Sequence, residues 1–421
     1  MATPKLRFKE FDGDWANFNL GDISDIKTGP FGSTLHQKDY VEIGTPIITV
    51  EHLGEVGLTS QNLPLVSDED KVRLKSYMLD EGDLAFSRVG SVDRCAIITD
   101  KEKGWLFSGR ILRVRPNKKL VHSKNLMYAL KTEDAKYRIR SVAVGQTMPS
   151  LNTEILKNFS INLSNSVEEQ TKIASFLSVV DEKISQLTQK HELLSQYKQG
   201  MMQKLFSQQI RFKADDGSEF GEWEEKTIQY FLDQNYIFDQ MDGNHGELYP
   251  KSEEFSDSGI PYIGATDFSN GTVNFLSCKK IPLERAIKFK KGIAKNGDVL
   301  FAHNATVGPV ALLMTNLEFV ILSTTATYYR CNPKKLINTY LKSVLESDYF
   351  KKQYVGIMSQ STRNQVPITT QRKLNLVVPC LEEQTKIANF LSAIDQKIEV
   401  VAQQIEQAKT WKKGLLQQMF V

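Results

Sequence analysis

Two stretches of the chain carry apolar residues at alternating spacings of four and three. In the first, Ile173, Leu177, Val180, Ile184, Leu187, His191, Leu194, Lys198, Met201 and Leu205 fall on one stripe. In the second, Ile387, Leu391, Ile394, Ile398, Val401, Ile405, Ala408, Lys412, Leu415 and Met419 do the same. Such a heptad a/d pattern predicts two helices, each with one narrow seam to bury. Neither stretch contains proline. Ser166 with Glu169 has the spacing of a capping box, and Pro379 marks the start of the second helix. The natural cover for each seam is the other helix, in a long antiparallel coiled pair centred on Ile173 to Leu187 and Ile387 to Val401. The alternative is that each helix packs on its own domain. A helix of about 40 residues is a rod roughly 60 Å long, a spacer between whatever its ends carry.

The two stretches are copies. Residues 167–207 align with 381–421 at a constant offset of 214, without a gap, and both contain the run Glu-Glu-Gln-Thr-Lys-Ile-Ala. The regions before them share only scattered framework positions, in the same order. Arg7-Phe8 leading to Trp15 resembles Arg211-Phe212 leading to Trp223, Gly44-Thr-Pro-Ile-Ile resembles Gly259-Ile-Pro-Tyr-Ile, and Gly82-Asp83 resembles Gly297-Asp298. The expected divisions are a first domain at 1–160, a helix at 161–210, a second domain at 211–378 and a helix at 379–421.

Seam packing accounts for identity at a and d positions only. Glu168, Glu169, Gln170, Lys172 and Asp181 nevertheless recur as Glu382, Glu383, Gln384, Lys386 and Asp395. Recurrent residues off the stripe suggest two equivalent outer surfaces, suited to two copies of one partner. Duplication without divergence would also leave them, but the regions between have diverged.

Short β-type runs such as 47–50, 84–86, 111–115, 299–301 and 326–330, followed by helical patterns near 124–137 and 336–354, give each domain a mixed α/β character. The fold class is therefore α+β, with two mixed domains in tandem. Polar loops lie at matching places in both. The first domain offers Lys27, Thr28, Ser33 and Thr34, then Arg88 and Ser91, Arg110 and Arg113, and Gln146 with Thr147. The second offers Asn244 and His245, then His303, Asn304 and Thr306, and Gln360, Thr362, Arg363 and Asn364. Arg, Lys, Asn and Gln fork onto the edges of guanine and adenine. Any one of these loops reads as a turn; as a set they favour base recognition.

With 53 Lys and Arg against 50 Asp and Glu, the net charge is only +3, so positive charge for DNA has to be local. It gathers at Arg110, Arg113, Arg115, Lys118 and Lys119, and again at Lys131, Lys136, Arg138 and Arg140. The second group reads equally well as a solvated helix face. The four cysteines form no CxxC pair and read as reduced thiols. No apolar run has membrane-spanning length, and residues 1–10 lack a signal-peptide core. A cytoplasmic protein is expected.

No catalytic constellation emerges. A P-loop is absent, and so is the Asn-Pro-Pro-aromatic motif of adenine methyltransferases; Asn332-Pro333 is followed by lysine. Neither HExxH nor a Cys/His cluster suggests a metal. Asp70-Lys71 reads as a charged loop-to-helix junction rather than a nuclease fragment, and His245 as a polar loop residue. His191, on the seam, is given no role.

The whole chain resembles the specificity subunits of Type I restriction–modification enzymes. The resemblance rests on the duplicated EEQTKIAxFLxxxDxKI, on Gly200-Gln203-Phe206 with Gly414-Gln417-Phe420, and on the segment from Arg7-Phe8 to Trp15. One departure is Ser164-Asn165-Ser166, where the family has a proline-containing lead into the helix. The resemblance implies two target recognition domains on double-stranded DNA, each reading one half of a split, asymmetric site. The paired helices would set the unread spacer. It also implies two methyltransferase subunits carrying S-adenosylmethionine and two restriction subunits using ATP and magnesium, with no cofactor in this chain. A self-sufficient restriction–methylation enzyme and a purely structural coiled-coil protein are the rivals; the missing motifs argue against the first and the large loop-rich domains against the second.

Overall fold

The computed structural model describes residues 3–31, 34–54, 57–145, 147–243, 249–358 and 364–420. They divide into two units, Met1–Gln189 with Ala402–Val421 and Lys190–Val401. The division falls inside both long helices, Val167–Phe206 and Leu381–Met419. Each unit thus owns the N-terminal part of one helix and the C-terminal part of the other. The boundaries expected from sequence kept each helix whole; packing splits them.

In the first unit, strands Ser24–Thr28, Ile111–Pro116, Leu84–Ser87 and Cys95–Ile97 form an antiparallel sheet in that order. A second sheet runs Tyr40–Val41, Leu65–Val66, Thr45–Ile48 and Leu106–Phe107, its last pair parallel. Trp15–Asn19 and Ser160–Ser164 make a separate ribbon. The second unit repeats this plan. Its first sheet runs Ile237–Asp242, Ala326–Cys331, Val299–Ala302 and Val310–Leu312. Its second runs Lys279–Ile281, Ile260–Ile263, Val320–Leu322 and Ile293–Ala294, and Glu224–Thr227 pairs with Asn375–Val378. The central strands Leu84–Ser87 and Val299–Ala302 are buried at every position, as strands covered on both faces must be.

The frame of each sheet is fixed by the same ion pair to a buried aspartate. Asp83 accepts from Arg115 Nε and Nη2 at 2.7 and 2.6 Å, and from the amide of Asp80. Asp298 accepts from Arg330 Nε and Nη2 at 3.0 and 2.8 Å, and from the amide of Lys295. The preceding Gly82 and Gly297 have φ of +89° and +88°, which a side chain would oppose. That is why Gly-Asp recurs.

The helix stripe is buried as predicted at Ile173, Leu177, Val180, Ile184 and Leu187. In the second helix Ile387, Leu391, Ile394 and Val401 are buried, while Ile398 is partly exposed. Its cover is not the seam alone. In the first unit Ile173 to Ile184 pack with Leu415, Met419 and Phe420 of the opposing helix, and also with Trp15, Tyr128 and Leu163 of the domain. In the second, Ile387, Leu391 and Ile394 pack with Met202, Leu205 and Phe206, and with Trp223 and Tyr340. The helices run antiparallel within each unit. The two alternatives weighed for the stripe both hold, because one apolar face meets two neighbours.

Candidate nucleic-acid interface

In each unit the described parts of the polar loops beside the first sheet are tied together by backbone hydrogen bonds. In the first unit the loop after Leu84–Ser87 is stitched to the segment 144–151: the Gly90 amide donates to Pro149 O and the Leu151 amide to Arg88 O. Arg88 fastens a third loop, donating through Nη1 to Gly109 O at 3.0 Å with its guanidinium 5.7 Å from the Phe31 ring. Gly29 lies so close to Ser108 that a Cβ would sit 2.1 Å from the Ser108 carbonyl oxygen. In the second unit the Ala305 amide donates to Asn364 O and the Val366 amide to His303 O. There a Cβ on Gly243 would sit 2.3 Å from the Ser323 carbonyl carbon. Where both are described, the same backbone bonds recur on the two edges, Gly90 to Pro149 as Ala305 to Asn364 and Leu151 to Arg88 as Val366 to His303.

The candidates on this edge divide by what already holds them. Ser91, Arg110, Thr147 and Thr306 are exposed. Asn364 is exposed and donates to Ala305 O, and Asn304 is half-buried in a bridge to Gln365. Thr28 bonds Thr153, and the Thr34 carbonyl accepts from Arg73. Lys27 donates to Ser76 O and lies over Tyr77, so it is half-buried. Arg88 holds loop backbone. Arg113 and His303 are corrections to the sequence reading. Arg113 is 4% exposed, paired with Asp25, and burial lowers its pKa; its strand position points it inward. His303 is 5% exposed and bonded to Thr327 Oγ1 at 2.8 Å. Ser33, Gln146, Asn244, His245, Gln360, Thr362 and Arg363 lie outside the described residues. The sequence reading passed over Phe31 and Met148, 66% and 64% exposed on the same edge. Phe31 sits within a loop already singled out, and apolar tips there suit contact with thymine methyl groups.

Most of the local positive charge is neutralised internally. Arg115 pairs with Asp83, Arg138 with Asp134, Arg140 with Asp93, and Lys136 with Glu133. Asp70 serves its own helix, accepting from Ser67 and Arg73. Among the described residues no His, Cys, Asp or Glu group could hold a metal, and no helix is long and apolar enough to cross a membrane.

The repeated polar residues of the helices also need correction. Glu169 and Gln170 are each 1% exposed, and Glu383 and Gln384 are fully buried. They do not face outward. Glu169 accepts from Arg7 Nε and Nη2 at 2.7 and 2.8 Å, and from Ser164 Oγ at 2.6 Å. Burial alone would raise its pKa, but these donors hold it below the usual glutamate range. Glu383 accepts from Arg211 and from the Trp223 indole. Gln170 bonds the backbone of His122, Leu120 and Ser164; Gln384 does the same at Ile337, Lys335 and Pro379. The second glutamate and the glutamine of each run therefore recur because they lock each helix onto its own domain. Asp181 and Asp395 cross the seam, to Lys412 at 2.5 Å and Lys198 at 2.6 Å. Glu168 and Glu382 are exposed, while Lys172 and Lys386 reach Glu10 and Asp215 from the surface. Ser166 caps the first helix through the Glu169 amide, but the Glu169 carboxylate closes on Ser164 and Arg7 instead of completing a box.

A family model for the Type I restriction modification DNA specificity domain matches residues 12–196 and 237–410. The type I restriction enzyme MjaVIII specificity subunit of Methanocaldococcus jannaschii is 25% identical, over 97% of this chain and 94% of its own. A second protein of that organism, provisionally named the type I restriction enzyme MjaX specificity subunit, is 28% identical over 98% and 94%. The crystal structure of an S subunit from M. genitalium matches the fold with TM-score 0.61 at 18% identity, covering 100% of this chain and 99% of that one. A chain from a structure of type I R-M complex assembly matches with TM-score 0.53 at 16% identity, over 97% and 98%. With the family model covering both repeats, this chain belongs to the Type I restriction–modification DNA specificity family.

Proposed function

We propose that the chain reads a split, asymmetric DNA site, one half per unit, and performs no chemistry itself. The observation that carries this is the loop edge built twice on one backbone plan with different side chains, Arg88 in the first unit standing where His303 stands in the second. Equal frames give equal approach to a groove, and unequal side chains give unequal half-sites. The residues repeated towards the helix surface, with Glu168, Lys172 and Glu382 exposed and Lys386 half-buried, suit two copies of one methyltransferase subunit, through which two restriction subunits join. S-adenosylmethionine, ATP and magnesium belong to those partners, and the assembly works in the cytoplasm.

Selection of duplexes from a random library by the purified chain, with sequencing, tests the reading. A two-part motif with unequal halves and an unread gap is expected, and a continuous or palindromic motif would sink it. Methyl transfer or cleavage by the contaminant-free chain would refute the non-catalytic part. Within the interface, Arg110→Ala is expected to lower the slope of log affinity against log salt by about 0.9, the value for one phosphate contact. Arg113→Met, whose guanidinium is spent on Asp25, is expected to leave that slope unchanged. The opposite ranking would reverse the assignment of these two arginines.

A further inference from the structure

The internal repeat offers a control for what lies beneath each reading edge. Thr327 pairs with Phe301 across the sheet, as Leu112 pairs with Phe86 in the first unit. Tyr329 pairs with Gln240, as Val114 pairs with Ile26. Gln371 follows Val366 by five residues, as Leu156 follows Leu151, and the amides of Val366 and Leu151 donate to His303 O and Arg88 O. In the first unit this layer is apolar: Ile26, Leu112, Val114 and Leu156 all belong to the core. In the second it is polar, and Gln240, Thr327, Tyr329 and Gln371 are at most 1% exposed. Four such side chains are tolerated in a core only if they bond one another.

They do, in one chain whose direction is fixed at both ends. Arg372 Nε, which can only donate, reaches Gln240 Oε1 at 3.1 Å. Gln240 Nε2 then donates to Gln371 Oε1 at 3.2 Å, and Tyr329 Oη donates to the same oxygen at 2.6 Å. Gln371 Nε2 donates to Val366 O, which can only accept, at 2.8 Å. A fixed donor at one end and a fixed acceptor at the other leave neither amide free to flip. The second hydrogen of Gln371 Nε2 goes to Thr327 Oγ1 at 3.1 Å. The buried Thr327 hydroxyl still has its own hydrogen to place, and His303 Nδ1 lies 2.8 Å away. A hydrogen on Nδ1 would leave that hydroxyl hydrogen without an acceptor. Nδ1 is therefore the acceptor, and the ring hydrogen of His303 sits on Nε2.

We propose that Thr327 and Gln371 are positioning residues for the second half-site: they hold His303 in one tautomer, and His303 holds the loop that carries Asn304 and Thr306. This assignment rests on the DNA-reading function above and deepens it at one of the two edges. His303 is tied into that edge by its backbone as well, its amide donating to Thr325 O and its carbonyl accepting from Val366. The loop that follows turns through Ala305 at φ +63°, a conformation that a residue with a side chain keeps only where its surroundings impose it. The first unit reaches the same end by other means. Arg88 fastens its loop directly, donating to Gly109 O and Leu151 O. A guanidinium has no tautomer to set, so an apolar layer beneath it suffices.

Two measurements on the full chain test this. In the first, the six histidines are labelled with nitrogen-15 and their ring nitrogens read by long-range proton–nitrogen correlation, with His303→Gln assigning the signal. In the wild type, Nδ1 of His303 is expected to be an unprotonated, hydrogen-bonded nitrogen and Nε2 a protonated one. Thr327→Val keeps the shape but removes the donor and should release the single tautomer; Thr327→Ser should restore it. The second measurement is selection of duplexes from a random library. Thr327→Val, and Gln371→Leu, which installs the first unit's residue, should lower the preference at the second half-site by roughly tenfold, about the discrimination of one base pair. The first half-site should stay as it was, and Thr327→Ser should keep both. A protonated Nδ1 in the wild type would overturn the proposal. So would a second half-site unchanged in Thr327→Val, or both half-sites relaxed alike, which would mean a general loss of structure. A wild-type chain that selects no split motif would remove the DNA reading itself, and this role with it, whatever the tautomer.

Discussion

Exchanging residues 224–378 for the corresponding segment of another family member is expected to change one half of the recognised site and leave the other half and the gap as they were. The segment carries the whole second loop edge, and its ends fall at the Glu224–Thr227 and Asn375–Val378 ribbon, where the same two strands pair in register. Both ends of the exchanged segment therefore lie on one pair of strands, which travel together. The Glu383 part of the helix lock is left outside, since Arg211, Trp223 and Glu383 all stay with the host chain, and Gln384 meets only backbone atoms of the exchanged segment, at Lys335 and Ile337. Each wrong base pair costs about 1–3 kcal/mol, roughly additively. Several changed pairs should weaken binding to the old site by roughly 10^3-fold, towards the non-specific level. Sequencing of duplexes selected by the exchanged chain reads both halves at once. A change in both halves, or in neither, would show that the units do not read independently.

The architecture was legible because it is written in periodicity. A 4–3 stripe over 173–205 and its copy over 387–419 give helices, their length and their antiparallel partner without any tertiary information. Gly82-Asp83 and Gly297-Asp298 were visible as a repeat, but their purpose was not. Arg115 and Arg330 lie 32 residues away along the chain and meet those aspartates only across the sheet. The recurrent Glu-Glu-Gln was misread for a related reason. A heptad sorts residues into seam and not-seam, and a polar residue off the seam defaults to solvent. Glu169 and Glu383 are instead buried against a third element, the entry segment, which the periodicity of a single helix cannot reveal. The clue was present in the sequence as Arg7 and Arg211, repeated at the entry to each half. Arg113 failed differently. Arg113 lies within the strand Ile111–Pro116 and is buried, whereas Arg110 sits in the turn just before it and is exposed, so neighbours in sequence do not share an environment.

Removing either entry arginine is expected to cost roughly 3 kcal/mol, near the low end for breaking a buried pair, because each glutamate keeps one neutral donor. Glu169 would retain Ser164 Oγ, and Glu383 would retain the Trp223 indole. Those two donors differ between the repeats, and Ser164 is part of the lead that lacks the family's proline. Arg7→Met also carries a pH signature. Glu169 titrates below the ordinary glutamate range in the folded chain, so its contribution is fully present above that range and is lost as pH falls through its folded value. Without Arg7, burial dominates and the pKa moves up. The deficit of Arg7→Met should then be largest near pH 7 and shrink towards pH 4, because the variant's unpaired carboxyl takes up its proton at a higher pH than the wild type's, which Arg7 keeps ionised further into acid. Urea unfolding of wild type and variant at the two pH values measures it. Hydrogen exchange should place the loss at residues 8–15 and 164–177, the segments the clamp joins. A deficit under about 1 kcal/mol, or one equal at both pH values, would mean that the clamp is a surface pair and that the aromatic contact of Phe8 with Phe176, at 5.9 Å, holds the entry segment instead.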